Sequence, residues 1–333
     1  MTKIRWGIIG CGDVTEIKSG PALQLAENSE LVAVMRRDAA KAQDYAARHK
    51  VPRWYNDAEK LVNDPEVNAV YIATPPDTHR LYTEQAAAAG KPVYVEKPMA
   101  RSHTECIAMI ESCRRASVPL FTAYYRRSLP RFLKVKALLE EGAIGQVRFV
   151  RTGYSAPPSD RDFDREQLPW RLIPEIAGGG YFVDLASHTF DILDYYFGPV
   201  GRVKAFADNQ AGLYPAEDMV ACVFTFENGI TGTGIWCFTA GQKSDEIEIS
   251  GEKGKIAFST FSQDPIRLIT GKYTEQWDIK NPKHIQLPHI KSVVASLNGT
   301  GICPSDGISA ARTNRVLDDI LQEWRDHNNL RFD

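Results

Sequence analysis

No apolar run in this sequence approaches the ~20 residues needed to cross a bilayer, so no membrane-spanning helix is expected. The opening, MTKIRWGIIG, has one short apolar stretch that runs straight into a glycine turn. It lacks the long apolar segment and small-residue cleavage site of a secretory signal, and a cytoplasmic location is expected. The six cysteines, at 11, 106, 113, 222, 237 and 303, form no Cys-x-x-Cys pair and read as reduced, mostly buried thiols. There is little net charge: 40 basic against 42 acidic residues leaves -2, and nothing points to nucleic acid or an anionic membrane. Low-complexity segments and solenoid-spaced repeats are missing. So are a Gly-x-Ser-x-Gly elbow and any Cys-His spacing that would suggest a hydrolase.

What is present is a chain of 333 residues, too long for one ordinary core, so two domains are expected, 1–123 and 124–333. Hydrophobic residues at 43% and charged residues at 25% match an ordinary soluble globular protein. The first third alternates short apolar runs (4–9, 30–37, 69–74, 92–97, 119–125) with helix-like stretches (38–49, 79–90, 102–117). That alternation predicts a doubly wound parallel sheet, whose ligands bind outside the carboxyl ends of the strands. After Tyr125 come an amphipathic helix and β-rich runs that alternate apolar and polar residues, with Asn228-Gly229 as a hairpin turn. The expected fold class is α/β: an N-terminal Rossmann sheet followed by an α+β domain with a large, mostly antiparallel open sheet. Phe224, Phe226, Trp236 and Phe238 supply apolar surface for that second domain.

The glycine-rich GIIGCGDVT follows the first strand at once. Gly10, Cys11, Gly12, Asp13 and Val14 would let main-chain amides approach a dinucleotide pyrophosphate, with Thr15 where Gly or Ala is usual. Gly20-Pro21 interrupts the first helix, which is expected to restart at Pro21 with Lys18 and Ser19 in a kink. At the end of the second strand an NAD binder usually carries an acid for the ribose hydroxyls. Here Met35 stands at that point, Arg36 and Arg37 follow, and Asp38 reads as a helix cap. Arginines suit a 2′-phosphate, so NADP is expected over NAD.

Two constellations carry the chemistry. In VYVEKPMA an acid and a base, Glu96 and Lys97, stand at a strand end before Pro98. In GGGYFVDLASHTFDIL, Asp184, His188 and Asp191 are four and three apart, along one face of a helix. A carboxylate one turn from a histidine can orient it for acid–base work. No third clustered ligand is evident, so no metal is expected.

Together GIIGCG, IATPPDTH, EKP, GAIG and GGGYFVDLASHTFD, in this order over residues 4 to about 200, resemble the glucose–fructose oxidoreductase, inositol dehydrogenase and rhizopine-catabolism (Gfo/Idh/MocA) family. The tail CPSDGISAARTNRVLDDIL resembles that family's last helix. The resemblance implies an NAD(P)-dependent oxidoreductase of sugars, cyclitols or related polyols, joined into a dimer or tetramer through the second sheet. It implies a catalytic Lys97, completed by Asp184 and His188. It also implies that Thr74 and Pro75 lie against the cofactor and that Trp170-Arg171 lies near the nicotinamide. Lys97 would polarise the reacting oxygen, and Glu96 would meet the nicotinamide ribose or fix the lysine. His79 is expected to serve a structural role such as a helix cap or to contact the cofactor edge, and Tyr125 and Arg127 (or Arg126) are expected to contact the substrate. Two rival readings remain: a non-carbohydrate substrate such as a cyclic dihydrodiol, and a dinucleotide sensor that kept only the fold.

Overall fold

Six short apolar strands build the first sheet: β1 (Ile4–Ile9), β2 (Ser29–Met35), β3 (Arg53–Tyr55), β4 (Ala69–Ile72), β5 (Val93–Val95) and β6 (Leu120–Thr122). The structure is a computed structural model and describes residues 2–332. The strands are all parallel, in the order β3-β2-β1-β4-β5-β6. Successive side chains alternate sides. Trp6, Ile8, Tyr71 and Tyr94 enter one core, and Ile9, Val70, Ile72, Val93 and Val95 enter the other. Both faces are covered, as a parallel sheet requires. The order reverses between β1 and β4, which opens the crevice used by ligands of such sheets. The first helix is broken as expected, into Asp13–Ile17 and Gly20–Leu25, with Pro21 in the first turn of the second.

The second sheet contains β7 (Val147–Ser155), β8 (Val200–Asp208), β9 (Met219–Phe226), β10 (Thr231–Cys237), β11 (Ser244–Gly251), β12 (Lys255–Phe258), β13 (Ile266–Thr270) and β14 (Tyr273–Trp277). Its order is β14-β13-β12-β11-β7-β10-β9-β8, and only the β7–β10 pair is parallel. The helix Tyr181–Phe197 covers one face, with Phe182 on Trp236 (5.1 Å) and Phe190 on Phe224 (5.3 Å). Glycine is needed on that face where the rings lie flat: a Cβ at Gly234 would sit 2.4 Å from the Trp236 ring. The Asn228-Gly229 turn closes the β9–β10 hairpin, with Gly229 at φ +90°.

Contacts divide the chain into Met1–Leu129 with Pro282–Ala311, and Pro130–Asn281 with Arg312–Asp333. The expected division at 123/124 therefore misses a returning segment. Its physical cause is the apolar face of the first sheet, which Ile290, Val293 and Val294 of the helix Leu287–Leu297 cover. No helix among the described residues is long and apolar enough to cross a membrane.

Candidate active site

In the first unit, β1 runs into Gly10, whose φ of +91° favours glycine. A Cβ there would also meet the Thr74 side chain at 2.6 Å, so the glycine turn and the loop after β4 touch. The Gly10 and Cys11 amides donate to Met35 O at 2.9 and 3.1 Å. Gly12 is different: a Cβ there would meet nothing nearer than 3.9 Å. Packing does not demand that glycine, whereas a pyrophosphate approaching the amides would, so the residues fit a dinucleotide. Thr15 Oγ1 accepts the Gly12 amide at 3.0 Å and donates to Gly12 O at 2.8 Å, which explains threonine in place of the usual small residue. Asp13 is exposed and Val14 half-buried at the helix start, and burial pushes the Cys11 thiol up to about 11. Lys18 is exposed in the break between the two helices.

The end of β2 follows the sequence reading closely. Met35 is in the core, and Asp38 caps the next helix by accepting the Lys41 amide at 3.1 Å. Arg36 is half-buried and donates from Nη1 to Cys11 O at 3.2 Å, which lays its guanidinium beside the glycine turn; Arg37 is exposed.

Lys97 is half-buried at the carboxyl end of β5, before a cis peptide to Pro98. Glu96 is buried below it. Its Oε1 accepts the Tyr71 hydroxyl at 2.5 Å and the Gln286 amide at 2.6 Å, and its Oε2 accepts the Lys97 main-chain amide at 3.2 Å. Tyr94 donates to the other end of Gln286 at 2.8 Å. Glu96 thus fixes the main chain of the lysine, one of the two roles expected of it.

His79 has the surroundings of the structural role, one of the two expected of it. It is fully buried, with Nε2 2.8 Å from Thr74 O and Nδ1 3.1 and 3.2 Å from Met99 O and Pro98 O. Both nitrogens face main-chain carbonyls, so His79 ties the Thr74 loop to the Pro98 loop and does not contact a ligand. Arg127 is buried as well and donates from Nη1 to Pro304 O at 3.0 Å, holding the returning segment. Tyr125 is buried, and Arg126 lies over its ring at 5.2 Å.

In the second unit, Asp184 lies in the first turn of the helix Tyr181–Phe197, and His188 follows one turn later, buried. Arg171 Nε donates to Asp184 Oδ2 at 3.2 Å while its guanidinium stacks on Trp170 at 4.3 Å. Trp170, Arg171, Asp184 and His188 are therefore brought into one unit. Asp191 is buried deeper along the helix.

Several residues beside these groups escape the sequence reading. Phe261 meets the His188 ring edge-on at 6.0 Å and Tyr154 at 5.5 Å. Its loop is held by Asp245, which accepts the amides of Thr260, Phe261 and Ser262 at 2.9, 2.7 and 2.8 Å. Glu217 accepts the Gly180 amide at the helix start. No run, spacing or motif marks these three. No group of three or more His, Cys, Asp or Glu able to hold a metal ion occurs among the described residues.

Residues 4–124 match the family described as "Oxidoreductase family, NAD-binding Rossmann fold", and residues 132–257 match its "GFO/IDH/MocA C-terminal domain". The chain is 40% identical over 319 residues to "Oxidoreductase P35" of Formosa agariphila, covering 95% of this chain and 98% of that protein. It is 28% identical to the trans-1,2-dihydrobenzene-1,2-diol dehydrogenase of Danio rerio, over 87% of this chain and 84% of that one. Among solved structures it is similar to the aldose-aldose oxidoreductase of Caulobacter crescentus complexed with glycerol. That match has a TM-score of 0.83 and 26% identity over 98% of each chain.

Proposed function

Because the chain belongs to the GFO/IDH/MocA oxidoreductase family, we propose that it is an NADP-dependent enzyme interconverting a secondary alcohol and a ketone on a sugar, cyclitol or related polyol. A bound nicotinamide supplies or takes the hydride. The turn of Gly10, Cys11 and Gly12 would admit the pyrophosphate to the main-chain amides of Asp13 and Val14 at the helix start, since its own amides already donate to Met35 O and Thr15 Oγ1. Arg36 and Arg37 would hold the 2′-phosphate, and the side chain already laid beside the glycine turn, Arg36, supports NADP over NAD. Thr74, Pro75, Trp170 and Arg171 would line the remainder of the cofactor.

The observation that carries the catalytic reading is Lys97, placed at a strand end and fixed through its own amide by a buried, fully engaged carboxylate. Lys97 stabilises the negative charge that develops on the reacting oxygen. His188 gives that oxygen its proton in reduction and takes it back in oxidation. Asp184, steadied by Arg171, orients the pair. The similarity to an aldose-aldose oxidoreductase supports a sugar-like substrate.

A second reading, a cyclic dihydrodiol, is supported by the dihydrodiol dehydrogenase relative and by the aromatic Phe261 beside His188. A panel of keto-sugars, cyclitols and cyclic diols separates the two.

Lys97→Met and His188→Asn test the roles directly. Each is expected to lower turnover by about 100-fold or more while NADPH affinity stays within about twofold. Near-normal turnover in both variants would reject the assignment.

The uncovered face of the second sheet is proposed to receive a second copy of the chain, giving a homodimer or homotetramer. Phe149, Phe206, Val223 and Ile235 are exposed on it, and Phe206 is 82% exposed. In register, Phe206 pairs with Ala221, and Ala221 with Ile235, so these form one apolar row across three strands.

A further inference from the structure

Glu217 lies in the connection between β8 and β9, and its side chain is fully buried. Its Oε1 accepts the Gly180 amide at 2.7 Å, and Gly180 is the cap of the helix Tyr181–Phe197. Its Oε2 is buried and has no hydrogen-bond partner. The glycines make room for the Ala216–Glu217 connection and the apolar groups around it: a Cβ at Gly179 would lie 2.6 Å from Val183 Cγ2 and 3.1 Å from Glu217 Oε1, and one at Gly180 would lie 2.7 Å from Ala216 Cβ and 3.3 Å from Oε1.

The groups around it are committed elsewhere. Asp218 accepts the amides of Gln210 and Ala211, each at 2.8 Å. Arg325, on the helix Gly307–His327, donates to Gly178 O at 2.6 and 3.0 Å and pairs with Asp318 at 2.7 Å. Tyr181 donates to Asp162 at 2.8 Å, and the buried Tyr214 hydroxyl has no partner. A carboxylate so placed would lose its hydration and gain only main-chain amides, chiefly that of Gly180, in return. The neutral acid avoids that cost. Burial is the main cause that pushes Glu217 up to about 7, opposed by the Gly180 amide, by its own main-chain amide and by the Arg325 charge, and assisted by Asp218.

We propose that Glu217 is a positioning residue: held as a neutral acid, it fixes the first turn of the helix that carries Asp184 and His188, and its ionisation strains that turn by placing an unhydrated charge on the partnerless Oε2 beneath it. The consequence for turnover rests on the roles proposed above for Asp184 and His188; the protonation state does not. The folded chain keeps a proton that the unfolded chain releases at the ordinary glutamate value. The stabilisation is therefore full below about pH 4.5 and is lost progressively as pH rises to about 7, above which the loss is constant.

The test compares wild type with Glu217→Gln, which keeps the acceptor for Gly180 and cannot ionise. Infrared difference spectra of the wild type are expected to show the carbonyl stretch of a protonated carboxylic acid that fades as pH rises through about 7. The band is expected to be missing from Glu217→Gln. The thermal midpoint of wild type relative to Glu217→Gln is expected to fall by about 5 °C between pH 4.5 and 7.5. With a turned-over substrate, Glu217→Gln is expected to lose the limb of the turnover profile near pH 7 and to keep most of its activity. The proposal is overturned if no Glu217-dependent band exists, or if the two proteins share one stability profile and one pH–rate profile. The infrared and thermal readings need no substrate, so they remain decisive if the alcohol–ketone reading fails.

Discussion

At the scale of the residue, His79 is a fully buried ring with a carbonyl against each nitrogen. A neutral imidazole has one N–H, so a charged ring would serve both sides better, yet desolvation lowers its pKa and the carbonyls only partly restore it. The sign is opposite to that of Glu217. The unfolded chain takes up a proton that the buried ring resists, so this contribution is lost as pH falls below about 6.5. His79→Leu leaves buried carbonyls without donors, at a cost of about 1–3 kcal/mol. It is also expected to weaken NADPH by about tenfold, because the loop carrying Thr74 loses its tie to the loop after Lys97. Thermal unfolding and NADPH titration check this, and unchanged values in both would show that the ring only fills space.

At the scale of the element, the loop between β12 and β13 is stiff because one carboxylate, Asp245, gathers three consecutive amides. Arg131 adds bonds to Ser262 O at 2.7 Å and Asp264 O at 3.0 Å. Asp245→Ala is expected to cost about 2–4 kcal/mol, since three amides lose a charged acceptor. It is expected to raise KM more than it lowers kcat, because it frees the loop bearing Phe261 without touching Lys97; Tm and steady-state kinetics report the two effects. Such elements explain what the sequence shows and hides. The glycine turn, the break at Pro21, the alternation of strands and helices and the Asn228-Gly229 hairpin follow from local chemistry. β3 has only three residues, and Tyr273–Trp277 is exposed almost throughout, so neither carries a readable apolar pattern. His79, Glu96 and Arg127 are polar residues near the site motifs, and the sequence does not distinguish a ligand-facing group from one bonded to partners inside the protein. Gln286 stands 190 positions from the Glu96 it bonds, and nothing local announces that pairing.

At the scale of the whole molecule, two sheets of different construction serve different ends. The parallel sheet is covered on both faces, whereas the second sheet leaves Phe149, Phe206, Val223 and Ile235 exposed on one face. If that face joins copies of the chain, Phe206→Asp with Ile235→Asp is expected to yield a folded monomer in sedimentation equilibrium. A wild type that is itself monomeric at micromolar concentration would remove the need for a partner. The proposed NADP dependence is decided by a fluorescence titration of the cofactor-free protein with NADPH and with NADH, repeated on Arg36→Ala. Tighter NADPH binding is expected, by about 10- to 100-fold, with that preference lost in the variant. Equal or tighter NADH binding in the wild type would contradict the assignment of Arg36 to a 2′-phosphate, and binding of neither would contradict the dinucleotide site itself.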